Sequence, residues 1–190
     1  MRLHMEANEL FTAVGDVGGA GYALSRASPS AYWLGDFEEA MRLGRAGYDA
    51  FSEVNHRWGA TAALCRIGFA ALSPGDRVEA GERLSRALEQ AHAAQATSLE
   101  LLALSGVGAL LAAEGQDRQA AVLLTYALGH EQLPAAYGFA ARPALDADEA
   151  SLPEDELAAA REEAGRSELA DLVAETLPRL ATHTGAPSQQ

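Results

Sequence analysis

Histidine, cysteine and acidic residues could carry acid–base or metal chemistry, but in this chain they form no recognisable set. No histidine stands at a ligand-like spacing from a carboxylate or a cysteine; the five are His4, His56, His92, His130 and His183. Cys65 is the only cysteine, which excludes an internal disulfide and leaves a zinc site short of ligands. We therefore expect no catalytic residue, metal or cofactor, and predict that the chain is not an enzyme.

Two further patterns have ordinary explanations. The glycine-rich stretch 15–19 resembles a phosphate-binding loop, but no strand precedes it and no Gly-Lys-Ser/Thr follows. The acidic groups at 38–39, 146–149 and 162–163 fall where a solvated helix face is expected, and acid–base catalysis would need burial that the pattern does not give.

The strongest signal is a repeat of forty residues. Many residues of the first copy recur forty positions later, among them Phe11, Val14, Gly19, Ala23, Leu24, Arg26, Gly35, Asp36 and Ala40. A third copy keeps Ala103, Leu104, Gly108, Gly115, Ala120, Leu124, Ala127 and Leu128. A fixed period of this size predicts an all-α solenoid whose units bury their apolar faces against neighbouring units.

Within the second copy, the spacing predicts a hairpin of two helices. Apolar stripes precede and follow the break at 73–76; they contain Ala63, Leu64, Ile67 and Ala71, then Ala80, Leu84, Ala87 and Leu88. Gly68 and Ala80 are small where the helices must approach closely. Asp76, beside the turn glycine, is predicted to cap the second helix.

These residues resemble the tetratricopeptide repeat (TPR), in which a small residue on the first helix precedes alanines on the second. The long period resembles that of the repeats in the C-terminal sensor regions of bacterial transcriptional activators and signalling ATPases. The first copy departs from the pattern because it has Pro29 on its first helix, and Gly44 and Gly47 at the positions of Leu84 and Ala87. We expect Pro29 to kink the first helix or end it early.

The register divides the chain into units with about eight helices in total. Residues 1–14 are the second helix of an incomplete hairpin, followed by repeats over 15–54, 55–95 and 96–130, a linker with capping helices over 131–182, and a disordered tail over 183–190. A capping box at Ser151 predicts a helix over 152–164, and Ser167 is predicted to cap another over 168–180. Together they would form a lid on the last repeat.

The first helix is predicted to lack the cover that a preceding helix would supply. Its apolar face consists of Leu3, Ala7, Leu10 and Phe11. The exposed apolar end of a solenoid that has no polar capping repeat tends to be covered by another chain or domain. We expect either a second copy of the chain, giving a homodimer, or an upstream domain at this face.

The resemblance implies that the first helix of each hairpin lines a concave surface. The predicted ligand-binding residues are Tyr22, Ser25, Tyr32, Trp33, Cys65, Phe69, Leu72, Leu102 and Ser105. Arg26 and Arg66 lie one residue off this lining, so a carboxylate clamp is disfavoured. The alternative is that the aromatic residues pack between repeats or against Pro29.

Composition narrows the class of partner. The chain of 190 residues has a net charge of −13, which argues against binding nucleic acid directly. No membrane span or signal core is found, so we expect a cytoplasmic protein. Two hypotheses remain: a scaffold or regulatory module that binds a protein or peptide in an apolar groove, and a small-molecule sensor whose groove closes on a metabolite.

Overall fold

The computed structural model describes residues 1–133, 138 and 140–183, and this part of the chain is all-α, as predicted. Its ten helices are α1 (Arg2–Ala13), α2 (Val17–Trp33), α3 (Phe37–Glu53), α4 (Arg57–Leu72), α5 (Arg77–Ala93), α6 (Thr97–Ala113), α7 (Asp117–Gly129), α8 (Arg142–Ser151), α9 (Glu154–Arg166) and α10 (Leu169–His183). From α1 to α7 each helix packs on the next. Helix α8 falls in the stretch predicted as a linker, and most of the predicted tail lies outside the described residues.

The turns between these helices recur with the same backbone conformation. A residue with positive φ, between 51° and 84°, stands at every twentieth position, namely Gly15, Gly35, Asn55, Gly75, Gln95 and Gly115. This region of φ is open to glycine at little cost, and asparagine tolerates it better than most residues. The forty-residue repeat is therefore two helix-and-turn units of equal length.

Side chains beside the turns cap the helices that follow. The carboxylates of Asp16, Asp36 and Asp76 accept hydrogen bonds from backbone N–H groups three residues on, at 2.8–3.1 Å. The ring of His56 takes the same position and accepts from Gly59 N at 3.0 Å. The predicted role of Asp76 is confirmed, since each cap satisfies a free donor in the first helical turn.

The helices within a hairpin meet through glycine–leucine pairs. An added Cβ at Gly68 would lie 2.6 Å from Cγ of Leu84, and one at Gly108 would lie 2.7 Å from Cγ of Leu124, forty residues on. Leu84 also reaches the next unit, where a Cβ at Gly106 would lie 2.3 Å from its Cδ2. Leucine from one helix therefore fills the space that glycine leaves on its neighbours.

The first hairpin is built from smaller residues. Its core is Ala27, Ala31, Ala40 and Leu43, joined by Ala70 of α4. Of the two effects expected of Pro29, an early end is wrong, because α2 continues to Trp33, while a kink stays a prediction. An added Cβ at Gly47 would lie 3.3 Å from the carbonyl oxygen of Gly21, so α2 and α3 approach almost backbone to backbone.

The C-terminal helices differ from the prediction in their caps. Ser151 ends α8 and its hydroxyl donates to the carbonyl of Asp148, while Pro153 stands at the N-cap of α9, so the capping box is wrong. The hydroxyl of Ser167 donates to the carbonyl of Glu163 in the preceding helix. Both hydroxyls therefore bond backward to helix carbonyls rather than forward to free N–H groups.

The packing of these helices extends beyond the last repeat. Helices α8 and α9 pack on α7, but α10 lies against α5. Leu172, Val173 and Leu180 of α10 are buried in the main core. The C-terminal segment therefore folds back along the second helices of two repeats, where the sequence predicted a lid on the last repeat alone.

Asp148 of α8 is a buried carboxylate, and its Oδ2 has no hydrogen-bond partner among the described residues. Burial, and after it the charge of Asp117, raises the pKa of Asp148 to about 6. Because the folded pKa exceeds the unfolded value, the charged form destabilises the fold, and the contribution of Asp148 to the free energy of unfolding should rise as the pH falls from about 7 to about 4. We expect Asp148→Asn to stabilise the protein by about 1–2 kcal/mol at pH 7.5.

Urea unfolding at pH 7.5 and pH 4.5 tests this prediction, with exposed Asp146→Asn on the same helix as the control. The gain from Asp148→Asn should shrink at the lower pH, where the wild-type carboxyl is protonated. An equal gain at both pH values would contradict the charge-based explanation.

The N-terminal helix leaves part of its apolar face uncovered. Leu3 and Leu10 are 69% and 70% exposed, whereas Ala7 and Phe11 are half-buried against the following hairpin. Cover of this face by a second copy or another domain stays a prediction. In the described part of the chain, no helix combines the length and the apolar character needed to cross a bilayer.

Candidate functional site

A cavity of about 350 Å³ runs across the first helices of the three hairpins. Its apolar wall consists of Pro29, Tyr32, Trp33, Phe69, Leu102 and Ala140. Its polar side consists of His4, Arg26, Ser28, Ser30 and Arg66. We call this cavity the groove; α2, α4 and α6 form its floor, and His4 and Ala140 contribute from outside those helices.

Four of the predicted binding residues come together in the groove. Tyr32, Trp33, Phe69 and Leu102 line it, and Trp33 is 64% exposed at its rim. The Tyr32 ring packs edge-on against Trp33, with centroids 6.4 Å apart, and against Phe37 at 5.4 Å. Aromatic neighbours thus hold one wall of the groove in place, and more than half of the Trp33 side chain is exposed at its rim.

The other predicted residues lie elsewhere. Tyr22 and Ser25 line an adjoining cavity of about 280 Å³. Cys65 and Ser105 are completely buried in the core, and the half-buried Leu72 packs against it. Neither Cys65 nor Ser105 lines the groove. Burial raises the pKa of the Cys65 thiol to about 12, and the Ser105 hydroxyl donates to the carbonyl of Leu102.

Two arginines that the sequence placed off the lining are part of it. Arg26 and Arg66 contribute to the groove and to the adjoining cavity, so they lie where the two spaces meet. The guanidinium of Arg66 donates to Oγ of the buried Ser25, which fixes its position. The premise of the argument against a carboxylate clamp is therefore wrong, because long side chains reach the groove from positions one residue off its floor.

The electrostatics of this region differ from those of the whole chain. No carboxylate is among the described residues that line either cavity, although the chain carries a net charge of −13. Burial, followed by the charges of the N-terminal amino group and Arg26, lowers the pKa of His4. The lowered pKa favours the neutral form of His4, and the arginines provide the positive charge of the groove.

The position equivalent to Arg66 has no side chain in the next unit. Gly106 occupies it there and faces Leu84. The first unit has Gly44 in place of that leucine, and an added Cβ at Gly44 would lie 2.8 Å from Cγ1 of Ile67, the neighbour of Arg66. The side chain of Ile67 therefore fills the space that Gly44 leaves.

Three further histidines, His56, His92 and His130, have structural roles. His56 caps α4 and stacks on Phe51, with ring centroids 5.1 Å apart, and Nδ1 of His130 accepts from Gln132 N. His92 pairs with a carboxylate that the search for ligand-like spacings did not find, since its Nδ1 lies 2.8 Å from Oε1 of the buried Glu100, eight residues on. This pair links the end of α5 to the start of α6 across the turn between them.

Comparisons of the chain with protein-family models, with curated proteins and with solved structures found no match. The case for a function therefore depends on the groove itself.

Proposed function

We propose that this chain is a non-catalytic, TPR-like interaction module that binds a short extended peptide in the groove. The observation that carries the proposal is an aromatic and aliphatic wall, drawn from three successive hairpins, beside two arginines. A pocket that is mainly apolar with a few convergent polar groups is typical of a binding site.

The size of the groove favours a short segment over a long helix. A volume of about 350 Å³ can hold a few side chains, and His4 and Ala140 border it outside the three floor helices. The Ser28 hydroxyl does not offer its proton to a ligand, since it donates to the carbonyl of Ala40 at 2.9 Å. An extended peptide could place one or two side chains in the groove and continue along the adjoining cavity.

A small-molecule sensor is the second candidate. The groove volume is within the range of sites for drug-sized ligands, and a compact metabolite with an apolar body would fit it. Such a ligand would raise the melting temperature without requiring the adjoining cavity.

Selection from a phage-displayed library of random twelve-residue peptides tests the proposal. Trp58→Phe leaves Trp33 as the only tryptophan, so its fluorescence reports on the groove rim. We expect a synthetic peptide of the enriched sequence to change Trp33 emission. Its affinity should fall about tenfold in Trp33→Ala, whereas Val78→Ala, an exposed apolar truncation on α5, should leave it unchanged.

Two results would contradict the proposal. One is a selection that enriches no peptide over a library panned on the blank surface. The other is a selected peptide whose affinity is the same for Trp33→Ala and the wild type, because binding would then occur outside the groove.

A further inference from the structure

We propose that Arg26 and Arg66 make the groove selective for acidic peptides, in which an aspartate or glutamate side chain stands close to an aromatic or aliphatic one. This inference rests on the proposed function, since it names the class of peptide that the same groove would accept.

The first observation is the register of the two arginines. They are forty residues apart and occupy the same position on α2 and α4, and both line the groove and the adjoining cavity. The third copy has Gly106 at this position, where an added Cβ would collide with Leu84. The groove therefore has an arginine at this position in the first and second copies and none in the third.

The second observation is the distribution of charge. The two cavities have no carboxylate in their described lining, although the chain carries a net charge of −13. In an acidic chain this is a local region of positive potential, which is complementary to an anionic partner.

The third observation is the arrangement of groups around the arginines. The guanidinium of Arg66 is held by Ser25, and the exposed Arg26 lies on the same helix as Tyr32 and Trp33. A guanidinium can bind a carboxylate through two parallel N–H···O bonds, which gives direction as well as charge. A peptide that pairs its carboxylates with these arginines can place a neighbouring apolar side chain against Phe69 and Leu102.

The test is a parallel selection from the random twelve-residue library on four proteins: wild type, Arg26→Gln, Arg66→Gln and Arg77→Gln. Arg77 is exposed at the start of α5 and lines neither cavity, so it is a control with the same change of charge. Circular dichroism melting of each variant shows whether it folds; Arg26→Gln, at an exposed position, keeps the test valid if Arg66→Gln does not fold.

We expect peptides enriched on wild type and on Arg77→Gln to carry Asp or Glu near an aromatic or aliphatic residue. On Arg26→Gln and Arg66→Gln the acidic preference should fall while the apolar preference persists. A synthetic peptide of the sequence selected on the wild-type protein should bind Arg26→Gln and Arg66→Gln about tenfold more weakly than the wild type. Replacing the acidic side chains of this peptide by amides should weaken its binding to the wild-type protein by about the same factor. An amidated C-terminus should have no effect, since side-chain carboxylates make the contacts.

Each other outcome counts against a distinct claim. Enriched peptides without acidic residues, or the same acidic consensus on wild type and Arg26→Gln, would overturn the acidic selectivity and leave the peptide-binding function standing. Loss of binding on amidation of the C-terminus alone would assign the arginines to a terminal carboxylate and would also overturn it. A library that yields no enriched peptide would overturn both proposals.

Discussion

Replacing Leu84 with alanine is expected to lower the free energy of unfolding by about 3 kcal/mol, the usual cost of a large-to-small change in a close-packed core. Leu84 is completely buried and touches two glycines, Gly68 of its own hairpin and Gly106 of the next. Its loss would open a cavity at the joint between two repeats. Urea unfolding monitored by circular dichroism measures the effect.

A double-mutant cycle makes this prediction specific to the joint. Gly106→Ala should destabilise the wild type by about 1–2 kcal/mol, because its Cβ would lie 2.3 Å from Cδ2 of Leu84. In the Leu84→Ala background the same substitution should be stabilising, since the space is free and alanine favours the helix by about 1 kcal/mol. Gly165→Ala on α9, where nothing lies within 4 Å, should stabilise both backgrounds alike. Additive effects at Leu84 and Gly106 would contradict this picture of the joint.

His92→Ala is expected to lower the free energy of unfolding by about 2 kcal/mol, because it leaves the carboxylate of Glu100 buried without its partner. The effect is smaller than for a fully buried pair, since the His92 side chain is 49% exposed. Adding Glu100→Gln to His92→Ala should recover part of the loss, because an uncharged amide costs less to bury. Thermal unfolding measures both variants, with exposed Glu89→Ala on the same helix as the control. If His92→Ala changes the free energy of unfolding by less than about 0.5 kcal/mol, the prediction is wrong.

The periodic features of this fold could be predicted from sequence because they are local. The turn at Gly75, the cap at Asp76 and the close approach at Gly68 each follow from residue type and spacing within one hairpin. The fold-back of α10 onto α5 could not, since it depends on contacts between segments about ninety residues apart. Apolar positions such as Leu172 show that a helix packs somewhere, but not on which neighbour.

The candidate site was predictable in its apolar half only. Tyr32, Trp33, Phe69 and Leu102 follow from assigning faces to the first helices, because a short stiff side chain stays close to its own Cα. Arg26 and Arg66 were placed one residue off the lining, yet both contribute to it, because a long side chain can reach a cavity from a neighbouring position. A rule that assigns each residue to a helix face by its spacing does not include this reach.

The measurement that tests the groove most directly is a chemical-shift titration of the isotopically labelled chain with the selected peptide. We predict that the perturbed backbone amides cluster at Tyr32, Phe69 and Leu102 and extend to Arg26 and Arg66. Perturbations confined to the exposed leucines of α1, or to α8–α10, would contradict the account and place the interaction surface elsewhere.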